Sequence, residues 1–162
     1  MESRAKFLGH PVHQMLIPIP AGLFIVAAVL DIVDVFVDAA WIPTVTFWNL
    51  VIGIFSALLA AVFGLADWSK IPGGTRAKRI GALHAIGNVS AVVLFAAAVW
   101  LRSLAERPLW YDLPLALEVA ALLLLGVTAW LGGELVDRLG VGISDNANLD
   151  APSSLRTKRV RP

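Results

Sequence analysis

Three histidines are the residues of this sequence whose chemistry is most evident: His10, His13 and His84. His10 and His13 are three positions apart, so they share one face wherever this stretch forms a helical turn. His84 lies inside an apolar stretch, where an imidazole needs a polar partner, and Asn88 follows it on the same helical face. Because neutral imidazole binds iron, zinc and copper, all three histidines are candidate metal ligands.

Acidic residues could take part in the same site. We predict that Asp67 and Glu134 lie at the membrane end that holds the histidines, as ligands or as acceptors that fix an imidazole tautomer. On facing helices, His13 and His84 could instead bind a haem iron axially. The cofactor-binding set would then be His13, His84, Asp67, Asn88 and Glu134.

A second interpretation of the same residues needs no cofactor. Hydrogen bonds and ion pairs among them would only lock the helix ends together. In that case His10 lies among the lipid headgroups, and Asp67 pairs with Lys70 or Arg79.

The composition excludes a soluble single-domain enzyme. Hydrophobic residues make up 58% of the 162 positions and charged residues 15%, with a mean hydropathy of +0.77. Soluble domains average roughly 25% charged residues, and a chain of this size could not bury so much apolar surface. Because the sequence has no cysteine, disulfides, iron–sulfur clusters and thiolate nucleophiles are also excluded.

Four apolar stretches are long enough to cross a membrane, which takes about 20 residues as a helix. They cover residues 12–37, 46–66, 80–101 and 113–131. Short connections predict an all-α, antiparallel up-down-up-down four-helix transmembrane bundle over residues 1–139, with a disordered basic tail over 140–162. Pro18 and Pro20 should bend or widen the first helix. No internal repeat of useful length is visible.

Basic residues indicate the orientation of this bundle. Eleven of the 13 lie on the side of the termini, and only Arg102 and Arg107 lie on the other. The positive-inside rule therefore places both termini in the cytoplasm of a bacterial inner membrane.

Acidic residues form a second polar set at the opposite end. Asp31, Asp34 and Asp38 form a stripe along the first helix, and Glu118 in the fourth span could approach it. This set could be a cation-binding mouth or a proton-entry point. For Asp34 and Asp38 we favour a solvated helix end, whereas both interpretations stay open for Asp31 and Glu118.

Three blocks of residues resemble the bacterial DUF2231 membrane proteins, a family of unassigned function. They are Gly9-His10-Pro11-Val12-His13 with Pro20, Gly22 and Leu23; Gly64-Leu65-Ala66-Asp67-Trp68 with Arg79, His84 and Asn88; and Gly132-Gly133-Glu134-Leu135-Val136. Members of the family often carry a further histidine near the position of Pro18, which this chain lacks. Related domains occur joined to Rieske or cytochrome-like modules, so the resemblance implies electron transfer or haem binding.

The leading hypothesis is a small membrane protein that holds b-type haem or a transition metal ion. It would contact the lipid bilayer and a redox protein partner, with a homo-oligomer possible and no role for nucleic acid. No catalytic site is identified, because no phosphate-binding or nucleophile motif is present, which favours a protein without catalytic activity of its own. The rival hypotheses are a structural or partner-binding subunit and a small cation or proton conductor.

Overall fold

A computed structural model describes residues 1–104 and 112–155 of the chain. A short hairpin of strands β1 (Lys6–Phe7) and β2 (His10–Pro11) precedes the helices. The helices are α1 (Val12–Leu16), α2 (Pro18–Val37), α3 (Ile42–Lys70), α4 (Arg76–Leu104) and α5 (Asp112–Gly133), and a π-helical turn, Glu134–Arg138, continues α5. Arg107 and the four basic residues of the tail lie outside the described residues.

The protein is an all-α membrane bundle. Within the described residues, four helical segments are long and apolar enough to cross a membrane: Val12–Val37, Ile42–Lys70, Arg76–Leu104 and Leu113–Arg138. The prediction of four helices long enough to span a membrane is thereby confirmed. Large apolar side chains cover the outer surface of the helices, for example Phe55, which is 69% exposed, and Leu123, which is 70% exposed. Such a surface is compatible with lipid tails as its surroundings.

The first crossing is divided at Ile17, between α1 and α2. Pro18 and Pro20 have no N–H, so two hydrogen bonds of a continuous helix are missing here. Ile17 itself keeps helical dihedral angles, with φ −51° and ψ −40°, and Ala21 N–H donates to its carbonyl at 3.3 Å. The predicted disturbance by the prolines is confirmed, and the chain still continues in the same direction.

The core lies where α2 and α4 approach each other at the centre of the bundle. Phe24 and Phe95 stack there with ring centroids 3.9 Å apart and planes only 5° from parallel. Small residues surround them: a methyl group on Gly53 would lie 2.6 Å from the ring of Phe24. At the end of the bundle that holds the termini, a residue early in α4, Arg76, contacts Glu134 after the end of α5.

The two halves of the bundle, α1–α3 and α4–α5, are built alike. His13, Phe24 and Asp31 in the first half correspond to His84, Phe95 and Arg102, each 71 residues further on. The phenylalanines stack on each other and Asp31 pairs with Arg102, so both pairs meet across the centre of the bundle. Such contacts indicate a pseudo-twofold axis that runs along the bundle.

This repeat is not visible in the sequence alone. It escapes notice because few positions are identical between the halves. In the helices that carry the histidines, five residues are identical between the halves. They are His13, Leu23, Phe24, Ala27 and Leu30 in the first half, and His84, Leu94, Phe95, Ala98 and Leu101 in the second.

The end of the bundle that holds His13 and His84, here the histidine end, is closed by the N-terminal segment and the start of the tail. The Met1 amino group donates to the Gly140 carbonyl at 3.0 Å, and Ser144 donates to Glu2 at 2.9 Å. The Lys6 ammonium, with the Ser144 hydroxyl, lowers the pKa of Glu2. Gly140, Gly142 and Ser144 thus contact the N-terminal segment. The predicted disorder of the tail stays a prediction.

Candidate functional site

His13 is held in place by two features of α3. Its Nδ1 lies 2.8 Å from the carbonyl oxygen of Ala60. Its ring lies on the backbone of Gly64, one turn further along, where an added methyl group would be only 2.7 Å from Cε1. The histidine is placed at the start of the first crossing because Pro11, with φ −61°, leads directly into α1.

His84 is held in the same way by α5. Its Nδ1 lies 2.8 Å from the carbonyl oxygen of Thr128, and its ring lies near Gly132, where an added methyl group would be 3.2 Å from Cε1. In both halves the accepting carbonyl precedes the glycine by four residues. The same arrangement of imidazole, carbonyl and glycine is therefore present twice, once on each side of the axis.

Both imidazoles present their second nitrogen in the same state. A carbonyl oxygen can only accept, so each Nδ1 donates its proton and the neutral ring carries its lone pair on Nε2. Neither Nε2 has a hydrogen-bond partner among residues 1–104 and 113–155. This is the tautomer in which a metal-binding histidine presents Nε2 to the metal, with Nδ1 fixed by an acceptor.

The two rings also face the same central column of the bundle. His84, Phe95 and Arg102 are spaced by eleven and seven residues, which are close to whole numbers of helical turns. Because Phe95 and Arg102 reach their counterparts across the axis, this spacing places His84 on the inward face of α4.

Asn88 supports this site from one side. Its amide donates to the carbonyl of His84 at 2.8 Å, and its oxygen accepts the hydroxyl of Thr128 at 3.1 Å. Asn88 therefore links α4 to the residue whose carbonyl holds the His84 ring. One of its two amide protons and its oxygen are engaged in these bonds.

The predicted acidic members are engaged elsewhere. Asp67 accepts the Ser3 hydroxyl at 2.7 Å and the backbone N–H of Arg4 at 2.6 Å, so it anchors the N-terminal segment instead of pairing with Lys70 or Arg79. Glu134 forms an ion pair with Arg76 at 2.6 Å.

His10 is exposed and lies 3.5 Å from the hydroxyl of Ser154. In the part of the chain that the structure describes, no three His, Asp or Glu side chains come together as a metal-binding group. The structure thus brings His13 and His84 to one column with Asn88 beside them. It does not bring Asp67, Glu134 or His10 into direct contact with those two rings.

The opposite end of the bundle holds a group here named the charged cluster: Asp31, Arg102 and Glu118. The sequence analysis brought the two acids together but missed Arg102. The Nη2 atom of Arg102 donates to Asp31 Oδ2 and, at 2.7 Å, to Glu118 Oε1. Asp31 and Glu118 are fully buried. The sequence did contain a sign of this cluster, because one basic and two acidic residues lie near the same end of the apolar spans. This pattern favours ion pairing inside a membrane protein.

Asp34 differs from its predicted solvated position. Its side chain is only 7% exposed and accepts the backbone N–H of Ala39 at 3.0 Å, just past the end of α2. The carboxylate thus satisfies a backbone donor in the turn after the helix, while Asp38 is exposed as predicted.

Residues 9–145 match the family described as predicted membrane protein (DUF2231). The chain belongs to the DUF2231 family. The match includes both histidine arrangements and the whole charged cluster, so these features lie within the DUF2231 region of the chain. No curated protein and no solved structure matches the chain.

Proposed function

We propose that this DUF2231 protein binds a b-type haem between His13 and His84 and carries electrons in the membrane. The observation that carries the proposal is the pair of imidazoles, one from each half, with Nδ1 fixed by a backbone carbonyl and Nε2 without a partner among the described residues. Two imidazole nitrogens of this kind, one from each half, could hold a haem iron, which would supply one-electron redox chemistry.

The number of ligands favours haem over a simple metal ion. Haem supplies four nitrogens of its own and takes one or two ligands from the protein. Structural zinc sites take four protein ligands and catalytic zinc sites take three. Among residues 1–104 and 113–155, no group of three ligand side chains is found. The two histidines therefore match the number of protein ligands that haem takes better than the number that zinc takes. A transition metal ion with two histidine ligands is the other form of the same proposal.

The surrounding residues would support the cofactor indirectly. Asn88 and the Thr128 carbonyl fix the orientation of His84, and the glycines under both rings allow α3 and α5 to approach closely. Electrons would pass to a redox protein partner at the histidine end.

The basic residues support an orientation with both termini in the cytoplasm of a bacterial inner membrane. In this orientation the histidine end is the cytoplasmic end. A reporter fused after Pro162 should be cytoplasmic, whereas one inserted at Arg107 should be on the other side, and the reverse result would refute the orientation.

A structural subunit without a cofactor is the second candidate. The observation that favours it is the satisfied state of Asp67, Asn88 and Glu134, whose hydrogen bonds and ion pair join separate elements. In that case His13 and His84 would act through their bonds to Ala60 and Thr128 alone.

Spectroscopy of the purified protein separates the two candidates. The wild-type chain is expressed with a haem precursor and trace metals, and the absorbance of oxidised and reduced samples is recorded together with iron, copper and zinc content. We expect a haem spectrum that His13→Ala and His84→Ala both abolish. The matched control is His10→Ala, which should retain the spectrum because His10 is exposed and apart from the column.

Two results would contradict the proposal. If the wild-type protein carries neither haem nor stoichiometric metal, the cofactor proposal fails and the structural candidate stands. If a cofactor is present but survives both substitutions, the site lies elsewhere. Insertion itself should not be affected, since replacing a histidine by alanine makes the span more apolar.

A further inference from the structure

The charged cluster carries more negative than positive charge. Asp31 and Glu118 are fully buried carboxyl groups, and Arg102, which is 11% exposed along its side chain, is the one cation that the described residues place beside them. With both acids ionised, the cluster has a net charge of −1. An uncompensated charge inside an apolar bundle is strongly unfavourable.

The neighbouring helices offer no compensation in the described part of the chain. From Ile42 to Ala66, α3 has no ionisable side chain. On α2, the nearest further group is Asp34, another acid, whose carboxylate is occupied by the Ala39 N–H at 3.0 Å. A proton is the simplest way to neutralise the cluster.

Comparison of the two halves shows that the carboxyl group of Glu118 has no counterpart in the first half. The equivalent residue of the first half is Leu50, which precedes Ala60 by as many positions as Glu118 precedes Thr128 and is equally buried. Asp31 and Arg102 alone would form a neutral pair across the axis. A leucine therefore meets the packing requirement at this depth, and the carboxyl group of Glu118 is not needed for it.

One oxygen of Glu118 has no partner. Among residues 1–104 and 113–155, the buried side-chain atoms without a hydrogen bond are Glu118 Oε2, Arg102 Nε and Thr46 Oγ1. Thr46 lies four positions after the start of α3, so all three atoms belong to the same end of the bundle. The two carboxyl groups both contact the same Arg102 nitrogen.

We propose that Glu118 is a proton-binding site. Its carboxylate takes a proton from hydronium at this end of the bundle: one O–H bond of hydronium breaks, which leaves water, and an O–H bond forms at Oε2. The charge of the cluster changes from −1 to zero. No other bond changes and no electron is transferred. Arg102, two residues before the end of α4 and still partly exposed, lies between the site and the aqueous phase.

Infrared spectroscopy tests this proposal directly. The wild-type protein at neutral pH should show the carbonyl stretch of a protonated carboxylic acid, shifted by ¹³C-labelled glutamate and by exchange into D₂O. Glu118→Gln should remove the whole band. The matched control is Glu134→Gln, which should leave the band unchanged because Glu134 is ion-paired with Arg76 at the other end.

Several outcomes would overturn the proposal. The first is the absence of a protonated acid band in the wild type at neutral pH, and the second is a band that survives in Glu118→Gln. The third is loss of the band when millimolar sodium is added, which would indicate a cation site instead. Misfolding can be separated from these outcomes, because Glu118→Leu copies the Leu50 of the first half and should remain a folded bundle by circular dichroism. The result is independent of the haem proposal, since His84 and Arg102 are about 27 Å apart along α4.

Discussion

The two halves of the bundle share their histidines and differ in their charges. At the histidine end, each half contributes the same imidazole, carbonyl and glycine. At the charged end, the residues related by the axis are Asp31 and Arg102, and Leu50 is matched by Glu118. Because the imidazole arrangement is present in both halves, it suits a ligand that both halves share on the axis. Glu118 is present in the second half alone and indicates a site that the first half lacks.

The largest effect should come from removing the one cation of the charged cluster. Arg102→Leu leaves two buried carboxyl groups without their donor, and breaking a buried ion pair on one side costs about 3–5 kcal/mol. The free energy of unfolding, measured by titration with a denaturing detergent, should fall by about this amount. The triple variant with Asp31→Leu and Glu118→Leu should recover most of it; a triple variant as unstable as Arg102→Leu would contradict the charge argument.

A smaller effect is expected at the glycines beneath the histidines. A methyl group at Gly64 would lie 2.7 Å from His13, against 3.2 Å between Gly132 and His84. Overpacking costs about 1–3 kcal/mol, so Gly64→Ala should lower the free energy of unfolding and Gly132→Ala should lower it less. Gly126→Ala on α5 is the control, because nothing lies within 4 Å of the added carbon there. Equal loss at all three positions would mean that close packing is not the cause.

The stacked phenylalanines should respond alike in the two halves. Phe24→Leu and Phe95→Leu each remove the same ring pair, whose geometry contributes about 0.5–1.5 kcal/mol beyond burial. The double variant should therefore lose less than the two single variants together. Additive losses in the unfolding titration would show that the rings act independently.

The smallest effect should come from a bond that only the second half has. Asn88 and Thr128 are joined at 3.1 Å, whereas the corresponding residues of the first half, Ile17 and Ala60, have no polar side chains. Hydrogen bonds between membrane helices average about 0.6 kcal/mol. Thr128→Val should cost about this much and should leave the Nδ1 bond of His84 to the backbone carbonyl intact. A loss of any bound haem in this variant would show that Asn88 and Thr128 position the site.

The elements could be predicted from the sequence because hydrophobic length determines them. Four spans, the disturbance at Pro18 and the membrane class follow from the order of apolar residues and prolines alone. His84 was recognisable because an imidazole in an apolar span needs a partner.

The contacts of the site were less predictable for identifiable reasons. The partners of His13, His84 and Asp67 include backbone carbonyl and N–H groups, which the sequence does not distinguish from any others. Arg102 looked like an interfacial charge because it is close to a helix end, and an apolar helix in lipid has no polar face to show which way its side chain turns.

The short connection between α3 and α4 bears on how such a protein could arise. A hairpin of two crossings returns the chain to the membrane face from which it started. Two identical hairpins could therefore pair as separate molecules with the same insertion direction, and a duplicated gene could join them without reversing either one. The residues between Lys70 and Arg76 suffice as the join. Two identical chains would have the same residue at equivalent positions, so a charged residue there would face its own copy. Once the copies were fused, each could change alone, and Asp31 could come to face Arg102.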